Sequence, residues 1–248
     1  MSEHLQIPGR YYRTYPPRLP LGEREELLTI DVAESAFQLI DVYGNLPDDE
    51  VDAVSDASRE HRSPDHDLRE QMIRTKIVPA KEAAKAAGLR IAYVSNYLSP
   101  GLSEASEWRN LSARTAGVDV LDTWAPPTPL LQHASIVAPQ ADEPVIHKQN
   151  YNGFFETHLE SLLRGWGARN LVIVGFDTLI CLAATATEAM YRNYRVIVLR
   201  DATYTPEYPE TREGSWANFV AVRLIETSIG YTATCDDFIR SCRESVSR

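Results

Sequence analysis

Short, continuously apolar runs alternate with helix-like segments along most of the chain, and this alternation constrains the fold more than any other feature. The runs cover residues 27–31, 90–96, 144–148, 170–175, 195–199 and 230–233. An apolar run without polar alternation reads as a strand buried on both faces, the kind that parallel sheets contain. Between the runs lie helical patterns over 74–87 (RTKIVPAKEAAKAA), 154–166, 181–192 and 213–227. Gly88 and Gly167 follow the first two as helix stops. The pattern predicts an α/β domain with a doubly wound, six-stranded parallel sheet and helices on both faces. The 248 residues suffice for one such domain.

Three stretches stand outside the alternation. Residues 1–22 interleave Pro8, Pro16, Pro17 and Pro20 with Tyr11, Tyr12 and Tyr15. So many prolines exclude a regular helix and predict an extended arm ahead of a domain spanning 23–248. Its tyrosines need a surface, either that of a neighbouring subunit or none if the arm is a loose tail. Residues 45–70 are acidic and turn-rich, an expected exposed loop carrying Asp48, Asp49, Glu50, Asp52, His61 and His66. Residues 97–143 form a 47-residue insertion with Trp108, Trp124, Pro126, Pro127 and Pro129. Insertions of that length beside a sheet serve as lids or subunit contacts, or are mere decoration. With the aromatic arm, this one predicts a homodimer or homotetramer, the competing arrangement being a lid folded over its own pocket.

Lys and Arg number 25 against 35 Asp and Glu, a net charge of −10 that opposes a nucleic-acid surface. No 18-residue apolar run predicts a membrane span, and the N-terminus lacks the apolar core of a secretory signal. Cys181, Cys235 and Cys242 form no CxxC pair, so free thiols and a cytoplasmic location are expected. No G-x-G-x-x-G follows the first run, which argues against dinucleotide binding.

In a doubly wound sheet, ligands bind outside the carboxyl ends of the strands. Asp31, Lys148 and Cys181 stand at three such ends, and Cys181 also opens a helix. A helix start lowers a thiol's pKa. Brought together, the acid accepts the thiol proton, the lysine stabilises negative charge and turn N–H groups hold an oxyanion. Singly, each has a plainer alternative: Asp31 a cap, Lys148 a solvated lysine, Cys181 a small buried hydrophobe.

The blocks LLTIDVAESAF (27–37), the 88–96 strand and VIHKQNYNGFFETHLESLLRGWGARNLVIVGFDTLICLAATATEAMYRNYRVIVLRDAT (145–203) resemble the isochorismatase-like cysteine hydrolase superfamily. The resemblance spans about residues 26–235. It implies Asp31, Lys148 and Cys181 as the catalytic trio, and the backbone N–H groups of Asp177 and Cys181 as the oxyanion hole. It also implies a cis peptide between Phe176 and Asp177. Three positions depart from the family pattern: Ala33 replaces a Gln two residues after the acid, Asp177 replaces a small residue, and Leu179 replaces a polar one. An acid beside an oxyanion hole opposes the developing charge unless it points away or meets a cation. Nicotinamidases of the superfamily carry an Asp-x-His…His metal set after the second strand, where this chain has Ser95-Asn96-Tyr97-Leu98-Ser99. His133 and His147 stand alone, so neither metal nor other cofactor is expected.

KQNYNGFFET (148–157) and IETSIGYTATCDDF (225–238) are similar to the ureidoacrylate-hydrolase branch. That likeness implies a small-molecule amide as partner, with Asn96, Tyr151, Phe154 and Phe37 lining its pocket. The Asn96 amide, donor and acceptor at once, suits a urea group, unless it is a turn residue. Arg109 and Arg114 are candidates for a substrate carboxylate. The expected activity is cysteine-dependent hydrolysis of a small linear carbamoyl or ureido compound (ureidoacrylate, biuret, triuret or an N-carbamoyl amino acid) through a thioester. Two alternatives stand beside it. One is an isochorismatase-type vinyl-ether hydrolase, which Cys181 opposes. The other is a catalytically degenerate binding protein, suggested by Ala33, Asp177 and Leu179.

Overall fold

The computed structural model describes residues 4–19, 21–44, 66–99, 101, 106–115, 117, 119–126, 128 and 131–247. Strands β1 (His4–Arg13) and β2 (Gly22–Asp31) form an antiparallel hairpin. The parallel strands are β3 (Ser35–Ile40), β4 (Arg90–Asn96), β5 (Val145–Lys148), β6 (Asn170–Phe176), β7 (Arg195–Tyr204) and β8 (Tyr231–Ala233). They lie side by side in the order β2-β1-β8-β7-β6-β3-β4-β5, an eight-stranded sheet with six parallel members.

The expected count of six therefore changes in two places. The run 27–31 belongs to β2, an edge strand on which Leu27 is 63% exposed. The first parallel strand is instead SAFQLI, all six of whose side chains are buried. Ser35 and Gln38 interrupt its apolar run in the sequence, whereas LLTID reads cleanly although it pairs on one side only. The arm differs as well. Residues 4–13 are a strand of the molecule's own sheet, with Leu5 and Ile7 fully buried and the Gln6 N–H donating to Ser241 Oγ at 2.7 Å. Tyr11 meets Tyr231 edge-on at 6.1 Å and Tyr12 lies 4.1 Å from the Arg223 guanidinium, while Tyr15 stays exposed.

Helices α1 (His66–Met72), α2 (Val78–Ala86), α3 (Glu107–Thr115) and α4 (Val120–Trp124) precede β5. Helices α5 (Leu159–Gly165), α6 (Ala183–Tyr191), α7 (Trp216–Leu224) and α8 (Cys235–Val246) follow it. A wide π-helical turn, Ile73–Ile77, joins α1 to α2. Ile77, Ala80 and Ala84 pack with Phe238 and Cys242 of α8 on one sheet face. Leu159 and Leu163 of α5 and Ala186 and Ala189 of α6 cover the other. Gly88, at φ +91°, stops α2 as its position implies. The helix expected from residue 154 starts only at Leu159, because side-chain turns occupy the chain before it. Asn150 accepts from the Asn152 N–H and Asn152 from the Phe154 N–H, each at 2.8 Å.

The described part of the insertion has a small core of its own, Leu98, Val120 and Ala125 with Trp108, Leu121 and Trp124 against it. Its return is tied to α2 by the buried Lys81–Glu143 ion pair, 2.6 Å long. The expected acidic loop falls largely outside the described residues, as do Asp48, Asp49, Glu50, Asp52, His61, Pro20, Pro127 and Pro129. Among the described residues, no helix is long and apolar enough to cross a membrane.

Gln38 is fully buried in β3 with neither side-chain atom hydrogen-bonded among the described residues. An unpaired buried amide costs about 1–3 kcal/mol, and an apolar group of like shape avoids that cost. Gln38→Met is expected to raise Tm by about 2–4 °C per kcal/mol recovered. A lowered Tm in a thermal melt would refute this.

Candidate active site

The strand order reverses between β3 and β6, and a crevice opens there at the carboxyl ends of the strands. The two central strands approach closely at this point. Gly175 has φ +115°, and a Cβ there would stand 2.0 Å from the Ile40 carbonyl oxygen, so only glycine fits. Four strand ends then deliver side chains to the crevice. Asp41 follows β3 in the left-handed conformation, φ +49°, which Asp tolerates better than most residues. Asn96 ends β4 and Lys148 ends β5, paired in register. After β6 the chain turns through Asp177 into the π-helical turn Thr178–Leu182, which contains Cys181.

Lys148 organises the cluster. Its side chain is fully buried, and its ammonium reaches Asp41 Oδ2 at 2.9 Å, Cys181 Sγ at 3.5 Å and the Asn96 side-chain carbonyl. The Asn96 and Cys181 contacts are hydrogen bonds and the Asp41 contact an ion pair. Burial opposes the lysine's charge, but the Asp41 carboxylate and then Cys181 outweigh it and raise its pKa. On the far side of Asp41, the Tyr43 hydroxyl donates to Oδ1 at 2.7 Å and accepts from the Asn96 N–H at 2.6 Å.

The thiol departs from the expectation for a helix start. Burial first, and then the facing Asp41 carboxylate, push the Cys181 pKa well above the ordinary range, and Lys148 offsets only part of this. Cys181 therefore rests protonated beside a carboxylate placed to take its proton. The Asp177 carbonyl accepts from Ile180 and Leu182, on either side of Cys181, at 3.1 Å each. Thr178 fixes the turn from below, its hydroxyl 2.7 Å from Thr203 Oγ1. The Phe176–Asp177 peptide is cis.

The isochorismatase domain model matches residues 50–228. The chain belongs to the isochorismatase family. Over 97% of its length, this family member is 30% identical to ureidoacrylate amidohydrolase RutB of Stutzerimonas stutzeri (strain A1501), covering 90% of that protein. It is 31% identical to a RutB of Methylorubrum extorquens over 64% of this chain. That match spans 65% of the relative, just under two thirds of its length. Among solved structures, a cysteine hydrolase from Pseudomonas syringae pv. phaseolicola 1448A superposes with TM-score 0.68 at 21% identity, covering 87% of this chain and 95% of the other. N-carbamoylsarcosine amidase from Thermoplasma acidophilum gives 0.57 at 22%, covering 82% and 97%. The fold is thus that of the isochorismatase-like hydrolases.

Within this family member, the residues expected from sequence divide sharply. Lys148 and Cys181 come together, but Asp31 does not join them. It ends the hairpin strand β2, pairs in register with His4, and caps the turn Val32–Glu34 by accepting from the Ala33 N–H at 2.8 Å. Asp41 occupies the place expected for it, 2.9 Å from the Lys148 ammonium, with Tyr43 two positions on hydrogen-bonded to it. Asn96 is present but spends its side-chain carbonyl on Lys148. Tyr151 borders the site, edge-on to Trp108 of the insertion at 4.9 Å. Burial and then the nearby Cys181 raise the Tyr151 pKa.

Phe154 and Phe37 are core residues. Phe154 packs on Tyr194 and Arg192 at the far end of α6, and Phe37 stacks on Phe238 at 5.7 Å beneath α8. Arg109 is paired with Asp119 inside the insertion, and Arg114 is exposed on α3. Asp177 meets a cation the sequence did not reveal, Arg69 of α1, at 3.4 Å. His133 lies 3.4 Å from Ser95 Oγ and His147 stacks edge-on with Tyr97. Among the described residues, no three His, Cys, Asp or Glu groups are placed to hold a metal ion.

Cys181 is 8% exposed, whereas Cys235 is fully buried and Cys242 nearly so. Limiting iodoacetamide is expected to alkylate Cys181 first, at a rate rising about tenfold per pH unit from neutrality to pH 9, because the thiolate fraction grows so below the pKa. Mass-mapped labelling at Cys235 or Cys242 first, or a plateau below pH 8, would contradict the assignment.

Proposed function

We propose that this protein is a cysteine-dependent amidohydrolase that cleaves a C–N bond in a small linear carbamoyl or ureido compound. The observation that carries the reading is one buried ammonium, Lys148, bound at once to a carboxylate and a thiol. The names of the relatives, ureidoacrylate amidohydrolase and N-carbamoylsarcosine amidase, support the substrate class.

In this mechanism Asp41 takes the Cys181 proton as sulfur attacks the carbonyl carbon. Lys148 stabilises the charge that shifts between them. The N–H groups of Asp177 and Cys181 receive the oxyanion, a contribution of about 3–4 kcal/mol for a single donor in a comparable site. Collapse breaks the C–N bond, and the departing ammonia or amine takes the proton from Asp41. Water then attacks the thioester, giving its proton to Asp41, and the acid leaves as the thiolate is reprotonated. Each step uses the chain's own side chains and backbone N–H groups with water, so the proposal invokes no cofactor. An ammonia-release screen over ureidoacrylate, biuret, triuret, N-carbamoyl amino acids and nicotinamide tests it. Turnover of a carbamoyl or ureido compound is the expected result, and inactivity on all of them would overturn the reading.

We further propose a homodimer or homotetramer acting in the cytoplasm. Trp216, Phe219, Val220 and Leu224 form an exposed apolar stripe along α7, a surface of the kind that association covers. A solution mass of one 27.9 kDa chain by light scattering would exclude it.

A further inference from the structure

Asp177 stands where a small residue is usual, at the start of the turn that carries Cys181. Its Oδ1 is buried without a hydrogen bond among the described residues and lies 3.4 Å from Arg69 Nη1. Both side chains remain a quarter exposed. The Arg69 guanidinium also lies over the Phe176 ring, 4.3 Å from its centroid, so it is held against the strand end that leads into the site. Asp177 is the residue on which the turn Thr178–Leu182 starts, four positions before Cys181, so the pair stands at the edge of the site. Burial raises the Asp177 pKa and Arg69 lowers it. The exposed edge of the pair thus offers N–H donors beside an acceptor oxygen, with no net charge.

That combination discriminates between the two kinds of group a ureido compound can carry at its distal end. A carboxylate approaching Arg69 would face the Asp177 carboxylate, and like charges at such range in a half-buried site repel strongly. A neutral carbamoyl group meets no such penalty, since its oxygen accepts from Arg69 while its NH₂ donates to Asp177. We propose that the Arg69–Asp177 pair reads a neutral distal carbamoyl group, so that the enzyme prefers an uncharged, biuret-like diamide to a ureido acid. This rests on the amide-hydrolase reading above.

The test compares kcat/KM for biuret and ureidoacrylate in the wild-type protein, Asp177→Ala and Asp177→Asn. Wild type is expected to favour biuret by at least about tenfold, which corresponds to 1.4 kcal/mol. Asp177→Ala, which uncovers the Arg69 charge, is expected to swing the ratio at least tenfold toward ureidoacrylate, mainly through KM. Asp177→Asn keeps the shape and is expected to move the ratio the same way. A wild-type preference for ureidoacrylate would overturn the proposal while leaving the hydrolase reading intact, as would equal losses on both substrates in both variants. Wild-type inactivity on every amide would instead remove the reading on which the proposal rests.

Discussion

Asp41→Asn is expected to lower kcat by at least about a thousandfold, while Asp31→Asn leaves kcat within about twofold of wild type. The asparagine side chain cannot accept the Cys181 proton, and that thiol, held well above its ordinary pKa, does not ionise unaided. It also leaves the fully buried Lys148 without its carboxylate, 2.9 Å away in the native protein. Removing one member of a buried pair costs about 3–5 kcal/mol of stability, so a thermal melt must accompany the assay. Asp41→Glu covers the case of a poorly folded variant: it keeps the charge, displaces the carboxylate by a methylene, and is expected to fold yet lose most of kcat. Asp31→Asn keeps the cap on the small turn at a cost of about 1 kcal/mol at most, since Asn caps nearly as well. Full activity in Asp41→Asn, or a comparable collapse in Asp31→Asn, would return the general base to the hairpin.

The contrast between these two acids shows what the sequence could and could not tell. Strands buried on both faces, such as β4 and β6, announce themselves as unbroken apolar runs, and the acid or base at their ends can be read directly. Cys181, just past β6, was legible for that reason, whereas Lys148 ends the edge strand β5 and was read from a short run that His147 interrupts. β3 carries Ser35 and Gln38 at sites that the finished structure buries, so its pattern breaks where its packing does not. β2 imitates a core strand because Leu28 and Ile30 face inward, although the strand is an edge. Two short runs, each ending in Asp, lie ten residues apart, and only the pairing of β3 with both β4 and β6 distinguishes them. A local pattern contains no information about which strand acquires two neighbours. The same limit hid Arg69, which meets Asp177 from 108 positions away in the chain and has no motif of its own. Tyr43 was visible in principle, two residues beyond an acid that follows an apolar run, once the right acid had been chosen.

Cys181→Ala is expected to abolish turnover, with a loss of at least about ten-thousandfold in kcat, because no other group in the cluster can form the thioester. The fold should survive. Removing the sulfur takes from Lys148 its 3.5 Å contact and leaves the closer bonds to Asp41 and Asn96 in place. Substrate binding is therefore expected to persist in Cys181→Ala, measurable by calorimetry with the best substrate from the screen. Cys181→Ser is expected to be nearly as inactive, because a serine hydroxyl is far less acidic and a far poorer nucleophile than a thiol at this position. In the wild-type protein, rapid quenching during turnover should show one acyl adduct by intact mass, mapped to Cys181 after digestion. The proposed mechanism requires this adduct, since in it the C–N bond breaks before water enters. Turnover by Cys181→Ala within tenfold of wild type would mean that water attacks directly, with Asp41 as its base, and would overturn the nucleophile assignment. An adduct at Cys235 or Cys242 would be harder still to reconcile, because both thiols are on the buried face of α8 with their pKa values pushed up by burial, that of Cys242 to about 12.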